Sequence, residues 1–469
     1  MDPLLIISLL PGGAALAGRV AGLTGLAHLR LVAGASWLTF ALIGGLAALT
    51  GAAPLLLDSL ALVIGLLTAF VGSVVLSFSL RHMKADARLA LYALRIGLLL
   101  TSVLLVASSR DLLSFALAWI ASGWLLARLI GHVPGWVEAE AAEKRARLAF
   151  LIGDCALVAA LAGLALGTGT LSLPGVLAAA PDMPVIGLAA TGALLLIAAI
   201  ARSSVPPFHK WLMGSMTAPT PVSALMHAGL VNAGGLLLIR FAPVLEAAPA
   251  VKLAALVIGA AGALFGTGVM LVRPDVKRAL GGSTVAQMSF MIMTCGLGAY
   301  AAALWHLVAH GLFKAWLFLG AGSGIGRAAP RSLAPMSPID AMMVIGAGAA
   351  LTAVLIGRGV TDTLPLPMLF ALVAGLTSLA GLVRAPARAA APFALALVTL
   401  GLVAGYAAGI ALIEALPGLP RGALLLPLPA QIALLAPFLV AWIWQVARLP
   451  LPAALYVRML NTGGPALIR

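Results

Sequence analysis

Hydrophobic residues in this chain run in blocks rather than in alternation. Leu, Ala, Val, Ile and Gly fill long stretches, and polar residues collect in the short gaps between them. A helix needs about 20 apolar residues, roughly 17–25, to cross a hydrocarbon core some 30 Å thick. The blocks predict helices over 3–18, 31–50, 58–80, 91–108, 111–130, 148–167, 184–213 (interrupted), 221–241, 251–272, 281–297, 299–322, 340–357, 366–383, 391–413 and 426–447. Lipid offers backbone groups no hydrogen-bond partner, so only helices and closed barrels span it. These runs are too long for the roughly 10-residue alternating segments of a barrel. The expected fold is an all-α polytopic membrane protein of about 14–15 transmembrane helices. Residues 1–469 form a single integral membrane domain. The opening run Leu4–Leu10 is cut by Pro11-Gly12-Gly13 and has no basic stretch before it. It reads as part of a first membrane helix rather than a cleaved signal.

Composition strengthens this picture. Of 469 residues, 62% are hydrophobic and 9% charged, whereas soluble domains carry roughly a quarter charged residues. A net charge of +14 raises the question of nucleic acid, and its distribution excludes that partner. With the loops assigned to alternate sides, 21 of the 28 Lys and Arg residues fall on one side. Four (Arg110, Lys252, Arg358 and Arg421) fall on the other, and Arg202, Arg240 and Lys314 lie within or near spans. Such a bias marks the cytoplasmic face. It puts the N-terminus outside and the C-terminus in the cytoplasm of a bacterial inner (cytoplasmic) membrane, with lipid as the surrounding partner. The longest polar stretch, His132–Arg147, reads as a short cytoplasmic loop. Cys155 and Cys295 both lie in apolar runs, which implies neither a disulfide framework nor a Cys-based metal site.

Two proline-rich breaks interrupt the middle of the chain. Val205-Pro206-Pro207 and Ala218-Pro219-Thr220-Pro221 bracket a short helical piece, Phe208–Thr217. A broken span followed by a Pro-rich return is the local geometry of many ion and substrate sites. An ordinary kink or loop end gives the same pattern.

Ionisable groups inside a membrane are costly and usually functional, and few occur here. Arg202 ends an apolar run just before the break, or else snorkels to an interface. His227 lies in a helix otherwise apolar except for Asn232, where it is a relay or a satisfied polar group between helices. His306, His310 and Lys314 stand at i, i+4 and i+8, on one helix face. Asp154 is the acid well placed near the first turns of a span. HxxxH spacing suits a metal, but no third Cys, His or carboxylate lies nearby in sequence, so no metal is expected. Lys314 alternatively anchors a packing contact. Histidine exchanges protons near neutral pH, and desolvation weakens an ammonium group's hold on its proton. A row of His, His and Lys therefore suits proton transfer between stations through water. No nucleophile–base pair, phosphate loop or redox motif is evident. The chain is not expected to be an enzyme or to hold a nucleotide, flavin, quinone or other cofactor.

The stretch RSSVPPFHKWLMGSMTAPTPVSALMHAGLVNAGGLLLIR, from Arg202 to Arg240, resembles the antiporter-like subunits of respiratory complex I, membrane hydrogenases and Mrp-type antiporters. DVKRALGGSTVAQMSFM from Asp275 and HLVAHGLFKAWLFLGAG from His306 agree with it. The resemblance implies an antiporter-like fold with a core ion-translocation module at about 111–325. It implies an ion route along Arg202, His227, His306, His310, Lys314 and Asp154. Pro206, Pro207, Pro219 and Pro221 then belong to the broken helix, and Asp275, Lys277, Ser283 and Thr284 are supporting positions. Departures are informative. The family's lysine before the break is Arg202, and its Trp-Glu pair appears as Trp119-Ile120, without the acid. The lysine that ends the family's relay has no match between about 340 and 447, where only Arg384 and Arg388 lie near.

A narrower likeness is to the DabB-type membrane subunits of two-component inorganic carbon transporters. It is carried by APTPVSALMHAGLVNAGG, the acid-free fifth helix, the short length, and the charged stretch Glu138–Asp154. It implies that protons or sodium ions crossing this chain drive CO2 hydration or bicarbonate accumulation by a large cytoplasmic DabA-like partner. That partner resembles zinc carbonic anhydrases and would hold the zinc. The alternatives are a proton-pumping subunit of complex I, a membrane hydrogenase or an Mrp-type antiporter, and a membrane scaffold without conduction.

Overall fold

The apolar blocks become helices in a computed structural model that describes residues 3–50, 58–321, 391–446 and 451–462. In chain order the main elements are α1 (Pro3–Val20), α2 (Gly25–Thr50), α3 (Ser59–His82), α4 (Leu89–Ser108) and α5 (Leu112–Ile130). Next come α6 (Val137–Thr168), α7 (Val185–Arg202), α8 (Lys210–Gly214), α9 (Thr220–Ala228), α10 (Ala233–Arg240), α11 (Pro249–Val272) and α12 (Val276–Gly296). Then follow α13 (Tyr300–Gly320), α14 (Ala391–Glu414), α15 (Leu428–Val446) and α16 (Ala453–Leu460). Ten of the described helices are long and apolar enough to cross a membrane, with α9 and α10 counted as one broken span. Among the described residues there is no strand, only a bridge between Asp111 and Ser172. The chain is thus an all-α, multi-pass membrane protein. The helices expected at 340–357 and 366–383 lie outside the described residues.

Local chemistry explains the boundaries. Asp58, Asp111 and Asp275 each cap a helix, accepting hydrogen bonds from the amides of Leu60 and Ala61, Ser114, and Arg278 respectively. Aspartate oxygen satisfies helix amides that have no intrahelical partner. Three of the chain's scarce acids therefore serve helix starts.

The loop expected at His132–Arg147 is a correction. Only its first residues are loop, and α6 begins at Val137. Its 32 residues amount to about 48 Å at 1.5 Å per residue, well beyond the hydrocarbon core. Glu138 and Glu140 in the first turn complement the positive end of the helix dipole, so charge here extends a helix rather than breaking one. The projecting turns pack on the chain: Glu143 pairs with Arg128 at 3.3 Å, and Arg145 lies against Gly214.

Large apolar side chains such as Leu117, Leu166 and Ile186 point outward, while the interior holds Arg202, His227 and Lys314. This inversion suits a lipid surround. Helix pairs close by backbone approach. A Cβ on Gly259 or Gly266 of α11 would collide with the main chain of Met293 or Ala286 on α12. Small residues serve membrane helix contacts this way, because packing rather than hydrophobicity drives them.

Candidate functional site

The broken span has the expected prolines in identifiable roles. α7 ends at Arg202, Pro206 and Pro207 lie in the turn after it, and α8 with the 3₁₀ turn Ser215–Thr217 forms the short helical piece. Pro219 precedes α9, and Pro221 sits in its first turn, where the missing amide hydrogen is no loss. The apolar pattern predicts one helix over 221–241. The structure breaks it again, at Gly229, through a 3₁₀ turn at Leu230–Asn232. The Asn232 amide turns to the Gly229 carbonyl at 3.0 Å. The Asn232 side chain then donates to the Ala228 carbonyl at 2.8 Å, supplying the bond the backbone gave up. Ser203 laces the two breaks together, donating to the Val231 carbonyl at 2.7 Å and accepting from the Gly234 amide at 3.1 Å. A glycine two residues and an asparagine five residues after His227 were the signals available for this second break.

Arg202 and Asp154, read separately from sequence, form one buried ion pair at 2.9 Å. The guanidinium, 2% exposed, also donates to Ser122 Oγ at 3.2 Å and the Trp119 carbonyl at 3.0 Å. It lies over the rings of Trp119 and Phe150, 4.6 and 4.8 Å from their centroids. A Cβ on Gly123 would stand 2.7 Å from Arg202 Nη1, so glycine on α5 leaves the guanidinium its place. With Ile120 in place of the family's glutamate, the carboxylate facing Arg202 comes from α6. Arginine holds its proton at any accessible pH, so this pair can bias neighbouring sites without itself relaying a proton through the cation.

The second cluster joins α9, α12 and α13. Thr284 Oγ1 donates to the Leu280 carbonyl at 2.9 Å and contacts His227 Nδ1 at 3.0 Å. A hydroxyl has one proton, so His227 donates through Nδ1–H. Its Nε2, buried and without a hydrogen-bond partner, is left as the basic atom. The ring stacks on Phe318 with centroids 4.2 Å apart. Lys314, 1% exposed, donates to the Leu280 carbonyl at 3.2 Å and Ser283 Oγ at 3.0 Å. His306 and His310 stack 5.8 Å apart, and each has a buried, unpartnered Nε2. Gly311 lets α13 close on the break, since a Cβ there would lie 2.6 Å from the Ala228 carbonyl.

A cavity of about 30 Å³ separates the clusters, lined among others by Trp119, Ser122, Arg202, Gly229, Asn232 and Leu307. A water molecule needs only ~10–15 Å³. The space reaches from the guanidinium to the break that follows His227 and to α13 between its two histidines.

The supporting positions divide. Ser283 and Thr284 touch Lys314 and His227. Asp275, by contrast, is an exposed cap paired with Arg278 at 3.9 Å, and Lys277 lies at the same end of α12. Trp119 and Ser122 were missed as ligands of Arg202, because a backbone carbonyl and a common hydroxyl leave no mark in sequence. No group of three or more His, Cys, Asp or Glu residues among the described residues is arranged to hold a metal.

Comparison with known proteins fits this geometry. A probable inorganic carbon transporter subunit, DabB1 of Halothiobacillus neapolitanus, is 38% identical over 299 residues, 62% of this chain and 53% of that protein. NADH-quinone oxidoreductase subunit L of Mycobacterium tuberculosis is 37% identical over 282 residues, 57% of this chain and 43% of that protein. The chain thus spans about half the length of the curated relatives it matches. In fold it is similar to a chain of the Mrp complex from Dietzia sp., with a TM-score of 0.62 at 24% identity, covering 98% of this chain and 56% of that one. The profile described as NADH:quinone oxidoreductase/Mrp antiporter, TM, matches residues 109–401. That match takes in both charged clusters and the broken span between them, and the chain belongs to this family of antiporter-like membrane subunits.

Proposed function

We propose that this chain is the ion-conducting membrane subunit of an inorganic carbon transporter, with residues 111–325 as its translocation module. The observation that carries the conducting role is the buried row of His227, His306, His310 and Lys314, in which three imidazole Nε2 atoms lack a partner. Such atoms accept and release protons. Sodium would require several oxygen ligands and would have to pass buried Arg202 and Lys314, so protons are the favoured coupling ion. Arg202 and Asp154 set the local charge. Water in the adjoining cavity links that pair to the break after His227.

The carbon role is drawn from the naming of relatives such as DabB1. In this reading the chain sits in a bacterial inner membrane with its N-terminus outside. A large DabA-like cytoplasmic partner docks on the basic face, holds the zinc, and hydrates CO2 or accumulates bicarbonate under the drive of ion influx. The chain itself has no catalytic site and no cofactor.

The test is growth of a carbonic-anhydrase-deficient cell at low CO2. The chain and its partner should restore growth, an uncoupler should abolish it, and His227→Ala or Lys314→Ala should abolish it with assembly intact. Restored growth in both variants would remove the pathway. Growth indifferent to uncoupler would remove the energy coupling. Likeness to the NADH-quinone oxidoreductase subunit favours a second reading, a proton-pumping respiratory subunit. Co-purification with quinone-oxidoreductase subunits, instead of a large zinc protein, would select it.

A further inference from the structure

The end of the bundle opposite the lysine- and arginine-rich loops carries another buried ion pair. Lys252, 3% exposed in the first turn of α11, donates to both carboxylate oxygens of Glu246 at 2.7 and 2.9 Å. It also donates to the Ala423 carbonyl at 2.7 Å. Glu246 closes the short helix Ala242–Glu246. It accepts further bonds from the Tyr300 hydroxyl at 2.8 Å and the Ala423 amide at 3.0 Å. One step on, the Leu425 amide donates to the Leu297 carbonyl at 3.1 Å. Segment 422–425 is thereby strapped across the junction of α11, α12 and α13.

The fit leaves no room for a methyl group. A Cβ on Gly422 would lie 2.7 Å from the Tyr300 ring and 2.8 Å from the Glu246 carboxylate. A Cβ on Gly298, whose φ is +84°, would strike the Ala423 carbonyl. Tyr300 is the first residue of α13, and His306 follows six residues later, about 9 Å down the axis. The strap therefore covers the end of the helix that carries His306, His310 and Lys314. Its charges are saturated: the carboxylate accepts from three groups and the ammonium meets three oxygens. A fully satisfied buried network is rigid and specifies one arrangement. Its chemistry suits closure rather than transfer.

We propose that the strap at 422–425, pinned by Glu246, Lys252 and Tyr300, is the seal that closes the ion pathway at the end poor in lysine and arginine. It keeps protons from leaking past the α13 row when nothing is driven through it. This rests on the reading of α13 as the pathway, and the experiment separates the two. The full-length protein is reconstituted in vesicles, and passive proton flux under an imposed potential is followed with an internal pH dye. Gly422→Ala displaces the strap while keeping every charge. It should raise the flux at least about fivefold, equivalent to roughly 1 kcal/mol on the barrier. Adding Lys314→Met to that variant should return the flux to the wild-type level. A folded Gly422→Ala protein that leaks no more than wild type overturns the seal alone. A leak that rises but survives Lys314→Met overturns the α13 pathway, and the seal with it. Should Gly422→Ala fail to fold, Glu246→Gln keeps the side-chain shape and gives up the charge. It should leak by a smaller factor, and no rise there also overturns the seal.

Discussion

Two of the ion pairs among the described residues, each with a buried cation, are built on different principles. Glu246 and Lys252 saturate each other with bonds and hold a backbone strap between them. Arg202 also meets three oxygens, on Asp154, Ser122 and the Trp119 backbone, but it rests its faces on two aromatic rings and borders a cavity. The first arrangement resists change and the second leaves room for it. A buried charge pair says little by itself about function. What surrounds it, whether a strapped backbone segment or open space, separates a fastening from a working group.

The contrast can be broken experimentally, and the largest effect is expected at the pair beside the cavity. Asp154→Ala leaves Arg202 buried without its carboxylate, which should cost about 3–5 kcal/mol of stability and abolish driven transport. Replacing both partners, Arg202→Met with Asp154→Leu, should recover thermal stability without recovering transport. If transport returned as well, Arg202 and Asp154 would be a fastening like the other pair. Gly123→Ala should be milder. Its methyl displaces the guanidinium without touching any charge, at a cost of about 1–3 kcal/mol, and initial-rate measurements should find transport reduced in a protein that still assembles. Asn232→Ala should do least. It removes the bond to the Ala228 carbonyl, worth about 1 kcal/mol, and one polar wall of the cavity. A small drop in melting temperature with a measurable fall in rate is expected, and an unchanged rate would detach the cavity from the pathway.

Much of the fold was legible because lipid imposes a simple rule on apolar run length. The helix expected at 58–80 is Ser59–His82, and that at 391–413 is Ala391–Glu414. Sequence misleads where charge and helix coincide, as in Glu138–Arg147, because a charged stretch there continues a helix instead of marking a loop. The break at Gly229 was hidden for a different reason. An interrupted helix has the same composition as a continuous one, and only the tertiary partners Ser203 and Gly311 reveal what the interruption accommodates. At the candidate site, residue types betrayed His227, His306, His310 and Lys314, since imidazoles and a lysine stand out in an apolar run. Their arrangement did not show. The pairing of Arg202 with Asp154, 48 positions apart, and the hydroxyl that orients His227 belong to helix packing, which spacing along one chain does not encode.

The overlong α6 has a mechanical consequence. Asp154 lies 17 residues along a helix that starts at Val137, about 26 Å from its projecting tip. The helix is continuous over that length, and its early turns are themselves packed, with Ala139, Ala142 and Ala146 fully buried. Arg145 on those turns lies against Gly214 in the short piece after the break. A load on those turns would therefore bear on both the partner of Arg202 and the broken span.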